Sequence, residues 1–283
     1  MSPIQVPVAR PGQGEVRTRP LPGAIVAVAT LTVVLLALPV VVLLGRALLG
    51  GALAAVFDDR AIVDALVLSL ATTGVSLGLT IVLGLPLAFV LARRTFPGST
   101  LVEAIVDLPI VLPPSVAGLA LLLAFGRRGP LGEPLEVLGI SLPFTTAAVV
   151  AAQTFVSAPF FIRAARAGLR AVDVDLEDAG RVDGADEWAV LRRISLPLAG
   201  ASLAAGLVMT WARAMGEFGA TIMFAGNIEG LTQTLPLVVY AEFQSSLDAS
   251  IAAAAILVLA ALGVLLSVRI IHWRSVFAVG SVA

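Results

Sequence analysis

The sequence contains no cysteine and no lysine, and all eighteen of its basic residues are arginine. It has a single histidine, His272. Without lysine there is no phosphate-binding loop of the GxxxxGK[ST] kind and no Schiff base, so any ATP that is used must be bound by another chain. Without cysteine there is neither a disulfide nor a thiolate, and one isolated histidine excludes the common zinc sites. Charge is scarce as well: 13% of the 283 residues are charged, against about 25% in a soluble globular protein. The formal net charge of −1 offers no basic footprint for a nucleic acid. What remains is apolar, with 59% hydrophobic residues and a mean hydropathy of +1.02, which excludes an ordinary water-soluble enzyme.

Roughly 20 apolar residues rising 1.5 Å each cross the hydrocarbon core of a bilayer. Six runs meet that requirement: 21–45, 65–92, 108–126, 137–162, 194–212 and 249–268, each between 19 and 28 residues long. These lengths call for helices rather than barrel strands. The first run follows Arg17 and Arg19, but it exceeds the 7–15 residues of a signal-peptide core and is read as an uncleaved anchor. Arginines flanking alternate ends of the spans divide thirteen to five. The richer side is the cytoplasmic one, so both termini are expected in the cytoplasm. The expected organisation is a tail at 1–20, one membrane domain at 21–274 with a cytoplasmic loop at about 163–195, and a tail at 275–283.

That loop concentrates the charge. Between Arg163 and Arg193 lie seven acids and six arginines, a natural meeting place for a soluble partner. Asp173, Asp175, Glu177 and Asp178 load the start of one short helix and Arg192 and Arg193 the end of a second, both favourable to the helix dipole. Gly184 supplies the turn between them. Ala185, Trp188 and Leu191 recur three apart and give the second helix a narrow apolar face. Pro197 then opens the next span. A helix lying on the membrane surface would show the same pattern.

Two further segments interrupt the spans. Asp107-Leu108-Pro109-Ile110-Val111-Leu112-Pro113-Pro114-Ser115-Val116-Ala117-Gly118 breaks the hydrogen-bond ladder at membrane depth, which is tolerated only against protein or a water-filled cavity. A half-helix starting near Pro114 would present its positive end there and attract anions; a kink that merely packs helices is the other reading. In the second segment Arg213 and Glu217 stand four apart and can pair on one helix face, either as a stabilising pair or in contact with a substrate.

The loop Asp178-Ala179-Gly180, Gly184, Ile194, Leu196, Pro197 resembles the permease subunits of ABC importers, whose pattern is EAA, three residues, G, nine residues, I-x-L-P. Asp replaces Glu and Gly replaces the second Ala, and Glu177 sits one residue early. The stretch from Ala212 to Leu237, with the Pro113-Pro114-Ser115 run, is similar to permeases of the molybdate type, with sulfate, thiosulfate and tungstate permeases as near relatives. The resemblance implies an all-α integral membrane protein of six transmembrane helices with the MetI-like fold of type I ABC importers. It implies a homodimer in a prokaryotic cell membrane, working with two ATPase subunits that hold ATP and magnesium and with an external oxyanion-binding protein. No cofactor is expected on this chain itself, only membrane lipids around it. The coupling residues carried over are Asp178, Ala179, Gly180, Gly184, Ala185, Trp188, Leu191, Arg193, Ile194, Leu196 and Pro197; the pathway or gate residues are Pro113, Pro114, Ser115, Arg213, Glu217 and Gly219. The rivals are an ion-coupled secondary transporter, disfavoured because Glu103, Asp107, Glu217 and Asp248 fall near span ends, and an intramembrane enzyme, for which no span offers paired aspartates or a Ser/His arrangement.

Overall fold

The computed structural model describes residues 22–50 and 60–279, with side chains as far as residue 266. The expected tail at 1–20 lies outside these bounds; of the expected tail at 275–283, the residues up to Val279 continue the last helix and the rest lie outside the described residues. All regular structure among the described residues is helical. The chain divides into two compact units at Val42/Leu43. In the first, the apolar start of α1 (Gly23–Leu49) has no buried side chain.

The second unit is organised around α2 (Arg60–Arg93) and α6 (Thr146–Arg170). The buried face of α2 is polar: Ser69, Thr72, Thr73, Ser76 and Thr80 point inward, while Val67, Val82 and Leu83 are exposed. Lipid tails are as apolar as leucine, so helices in a bilayer associate through small and hydrogen-bonding side chains instead. Accordingly Thr154 Oγ1 donates to Ser76 Oγ at 3.0 Å and Gln153 Nε2 to Thr73 Oγ1 at 3.4 Å, joining α6 to α2. The helix α10 (Gly200–Met215) closes on α6 at glycines. A Cβ at Gly168 would lie 2.4 Å from Ser202 Cβ, and one at Gly206 would lie 2.7 Å from Ala164 Cβ.

Among the described residues four helices are long and apolar enough to cross a membrane, and two bent pairs bring the number to six where each pair is counted as one span. The expected span 108–126 is one of these pairs rather than a straight helix. It starts earlier, as α3 (Ser99–Val111), stops at Leu112, and resumes as α4 (Pro114–Phe125) after a 117° bend. Pro113 and Pro114 are the cause, since each lacks an amide proton and holds the preceding residue extended: Leu112 sits at ψ 135 and Pro113 at ψ 136. On its inner side α3 carries two acids that meet arginines near the end of α6, Asp107 with Arg163 at 3.6 Å and Glu103 with Arg166 at 2.6 Å.

The expected span 137–162 also shifts. A short helix α5 (Gly132–Val137) and a turn with Gly139 at φ 75 and Phe144 at φ 63 precede α6, which begins only where Thr145 caps it by accepting the Ala148 amide at 3.3 Å. The expected span 194–212 is the second bent pair. Its first limb is α8 (Glu187–Val190), a π-helical turn (Leu191–Ser195) and α9 (Leu196–Leu198), and α10 leaves at 74°. After α10 come α11 (Gly219–Phe224), α12 (Leu235–Ser245) and the last span α13 (Leu247–Val279).

Candidate functional site: a clamped loop and two helix breaks

The charged loop is a helical hairpin: α7 (Val174–Val182), a turn with Gly184 at φ 90, then α8. Both helices start on aspartate caps. Asp173 Oδ1 accepts the Asp175 amide at 3.0 Å and Asp186 Oδ1 accepts that of Ala189 at 2.7 Å, satisfying donors that a helix start leaves without partners. Across the turn Arg181 holds the hairpin shut, donating to Glu187 at 2.8 and 3.1 Å and to Asp178 at 2.6 Å. The hydrogen bond to Glu187 raises the Arg181 pKa above its usual range, and the same bond lowers that of Glu187.

The expected apolar face is rearranged. Ala185 precedes α8 and is half-buried, as is Leu191, whereas Trp188 is 67% exposed and Val182 is 87% exposed. The tip therefore offers Val182 and Trp188 on either side of Gly184. Arg193 and Pro197 are exposed, Ala179 stays on α7, and Leu196 is half-buried. Gly180 has a specific neighbour, since a Cβ there would lie 2.5 Å from Ile194 Cδ1. The glycine that replaces the usual alanine thus faces another residue of the same pattern.

The buried acid of the loop is Glu177 and not Asp178. Glu177 is 2% exposed; its Oε1 accepts from Arg93 Nη2 and from Ser195 Oγ, the latter at 2.7 Å. The Asp178 side chain is 62% exposed and serves only the Arg181 clamp. Spacing alone gives Glu177 only a place among the acids at the start of a helix and not this junction, because its partner Arg93 is 84 residues earlier in the chain.

The pathway residues come together where the two helix breaks meet. A Cβ at Gly219 would lie 2.6 Å from Pro114 Cβ and 3.2 Å from Ser115 N; one at Gly118 would lie 2.7 Å from Ala220 O. Backbone thus packs directly on backbone between α4 and α11, a role for Gly118 that its place inside an apolar run does not reveal. Arg213 and Glu217 pair at 2.5 Å, but not along one helix, since α10 ends at Met215 with Gly216 as its cap. Glu217, 1% exposed, instead accepts the Ala220 amide on Oε1 at 2.7 Å. It caps α11 while Oε2 faces the Arg213 guanidinium. Pro113, Pro114 and Ser115 are exposed, and the first turn of α4 has no side-chain cap, so its leading amides carry the partial positive charge of a helix start.

Residues 80–273 match the family model described as the binding-protein-dependent transport system inner membrane component. The chain belongs to this family. The match takes in the clamped loop and both helix breaks and leaves out α1. Among relatives, the molybdenum transport system permease protein ModB of Mycobacterium tuberculosis is 44% identical over 204 residues, covering 72% of this chain and 77% of its own length. The sulfate transport system permease protein CysW of Synechococcus elongatus is 40% identical over 193 residues, covering 67% and 68%. In three dimensions the permease superposes on a chain of a bacterial ABC transporter that imports alginate, with a TM-score of 0.71 at 17% identity over 89% of this chain and 96% of that one. That likeness establishes the MetI-like importer fold.

Proposed function

We propose that this permease forms the membrane path of an ATP-driven importer for a tetrahedral oxyanion, molybdate first, with tungstate and sulfate as the other members of that chemistry. The observation that carries this reading is the 44% identity to a molybdenum permease over 204 residues, 72% of this chain. The division of labour supports it: a chain with no lysine and a rigid, capped, charged hairpin is equipped to respond to a nucleotide-binding partner and not to bind nucleotide itself. Two ATPase subunits, carrying ATP and magnesium, dock on the exposed Val182 and Trp188 tips of two copies of the permease. An external protein delivers the anion, and the uncapped start of α4 with Arg213 gives the dianion a locally positive passage. Closure of the ATPase pair draws the hairpins together and swings the bent pairs from inward-open to outward-open.

Ion-coupled transport is disfavoured by the state of the carboxylates. Glu103, Asp107 and Glu217, which such a mechanism would need free for protons or sodium, are each held by arginine.

The deciding experiment reconstitutes the permease in vesicles with a candidate ATPase and binding protein from the same organism, and measures uptake of molybdate, tungstate and sulfate. Uptake that requires internal ATP, together with calorimetric binding of molybdate by the external protein, is the expected result. Uptake driven by a proton gradient without the ATPase would overturn it. Binding of sulfate in preference to molybdate would keep the importer and change its cargo.

A further inference from the structure

Outside the clamp and the helix breaks, a buried polar junction forms around Glu177. A single carboxylate oxygen joins three elements: it belongs to α7, accepts from Arg93 Nη2 on the last residue of α2, and accepts from Ser195 Oγ on the π-helical turn that leads into α9 and α10. Ser195 is fully buried, and the Arg93 side chain is 15% exposed with a buried Nε that has no hydrogen-bond partner. The nearest other ionic contact to Glu177 is Arg181 Nη2, 3.9 Å from Oε2. Arg93 and Glu177 are therefore a mutually dependent buried pair: removing either charge strands the other away from water.

The junction lies where a push on the hairpin must pass. From Arg93 it reaches α2, whose Ser69 Oγ accepts the Leu235 amide at the start of α12 at 2.8 Å. From Ser195 it reaches α10, which ends at the Arg213 and Glu217 break. π-Helical turns concentrate at functional positions and are readily remodelled, because a wider turn can relax to α geometry.

We propose that Glu177 is a positioning residue that makes the hairpin, the end of α2 and the π-helical turn move as one body, so that motion of the docked ATPase reaches α10 and α12 together. This rests on the importer reading given above. It assigns the transmitting role to the buried Glu177 and Arg93, while the exposed Asp178 only keeps the hairpin folded.

The test uses the full permease, reconstituted with its ATPase and binding protein, and compares wild type with Glu177→Gln, Arg93→Gln and the double variant. Glutamine preserves an acceptor for Ser195 and removes only the charge. In each single variant the ATPase should still co-purify, while anions imported per ATP hydrolysed fall ~5-fold or more, the lower end of typical allosteric coupling. The double variant, which leaves no stranded charge, should recover most of that ratio. Because the chain has no native cysteine, spin labels at Thr95→Cys and Val182→Cys can report the hairpin's distance from the end of α2 in the same preparations. A narrow distance distribution in wild type that broadens in Glu177→Gln is expected. If Glu177→Gln leaves the distribution unchanged, the junction does not lock these elements and the proposal falls. If the distribution broadens but the ratio of anion to ATP holds, the contact is only architectural and the proposal also falls. Absence of ATP-driven uptake in wild type would instead remove the importer reading, and the spin-label distances would still decide whether the junction locks the hairpin.

Discussion

At the residue scale, the glycines of the site answer to two different requirements, and substitution separates them. Gly184 sits at φ 90 with no atom within 4 Å of a would-be Cβ, so its requirement is purely conformational. A left-handed backbone costs an ordinary residue about 1–2 kcal/mol, least for Asn and most for a β-branched side chain. Gly184→Val should therefore sharply reduce ATP-driven uptake, with Gly184→Asn retaining most of it. Gly219 and Gly118 are set by space instead: a methyl would meet the Pro114 ring at 2.6 Å and the Ala220 carbonyl at 2.7 Å. Gly118→Ala should cost about 1–3 kcal/mol by overpacking, read as a lower unfolding temperature in detergent. Gly180→Ala, also close at 2.5 Å, meets only the free end of Ile194. It should unfold at the wild-type temperature and transport normally. The pattern of residues identified Gly184 as a turn, because glycine spacing in a charged loop is a local signal. It did not reveal Gly118 or the pairing of Gly180 with Ile194, because contacts between elements leave no mark on local spacing.

At the element scale, the breaks were legible and their consequences only partly so. Three prolines within six residues announce an interrupted helix, but nothing in them specifies a 117° turn or the helix that begins nine residues earlier than expected, at Ser99. The earlier start goes with the pairing of Glu103 and Asp107 with the arginines of α6, which gives an acidic segment partners within a helix where hydropathy alone ends the span. The break itself is doubly secured. Pro113→Ala restores one amide, yet Pro114 still holds residue 113 extended, so the bend and transport should both survive. The double replacement of Pro113 and Pro114 by Ala permits a continuous helix and should abolish uptake while leaving membrane insertion intact. The hairpin makes a different prediction, in pH. The Glu187 pKa is lowered from 4.5 by its bond to Arg181, so this bond stabilises the folded hairpin above the unfolded carboxylate value and is lost as pH falls through the folded one. The Arg181 pKa is raised above its usual range by the same bond, so its contribution is present throughout the neutral range and is lost only under far more alkaline conditions. Spin-label distances within the loop should accordingly be constant from about pH 5 to 9 and broaden only in the acid range.

At the scale of the whole molecule, orientation is the property that arginine distribution predicts and that geometry alone does not contain. Thirteen arginines flank one set of span ends and five the other, and the excess belongs on the cytoplasmic side. The fold gives the count a mechanism. Arg93, Arg163, Arg166 and Arg170 do not stand free at the surface, since each is paired with Glu177, Asp107 or Glu103; the charge that sets the topology also builds the end of the molecule that carries the hairpin. Two exposed positions test this directly in a chain free of native cysteine: Val182 at the hairpin tip, 87% exposed, and Leu138 in the connection before α6, 72% exposed. Val182→Cys should react with a membrane-impermeant maleimide only after the membrane is opened, and Leu138→Cys should react with it in intact spheroplasts. The opposite labelling would place the hairpin outside. Such a result would separate it from every cytoplasmic ATPase, so this one measurement of sidedness bears on the coupling mechanism as a whole.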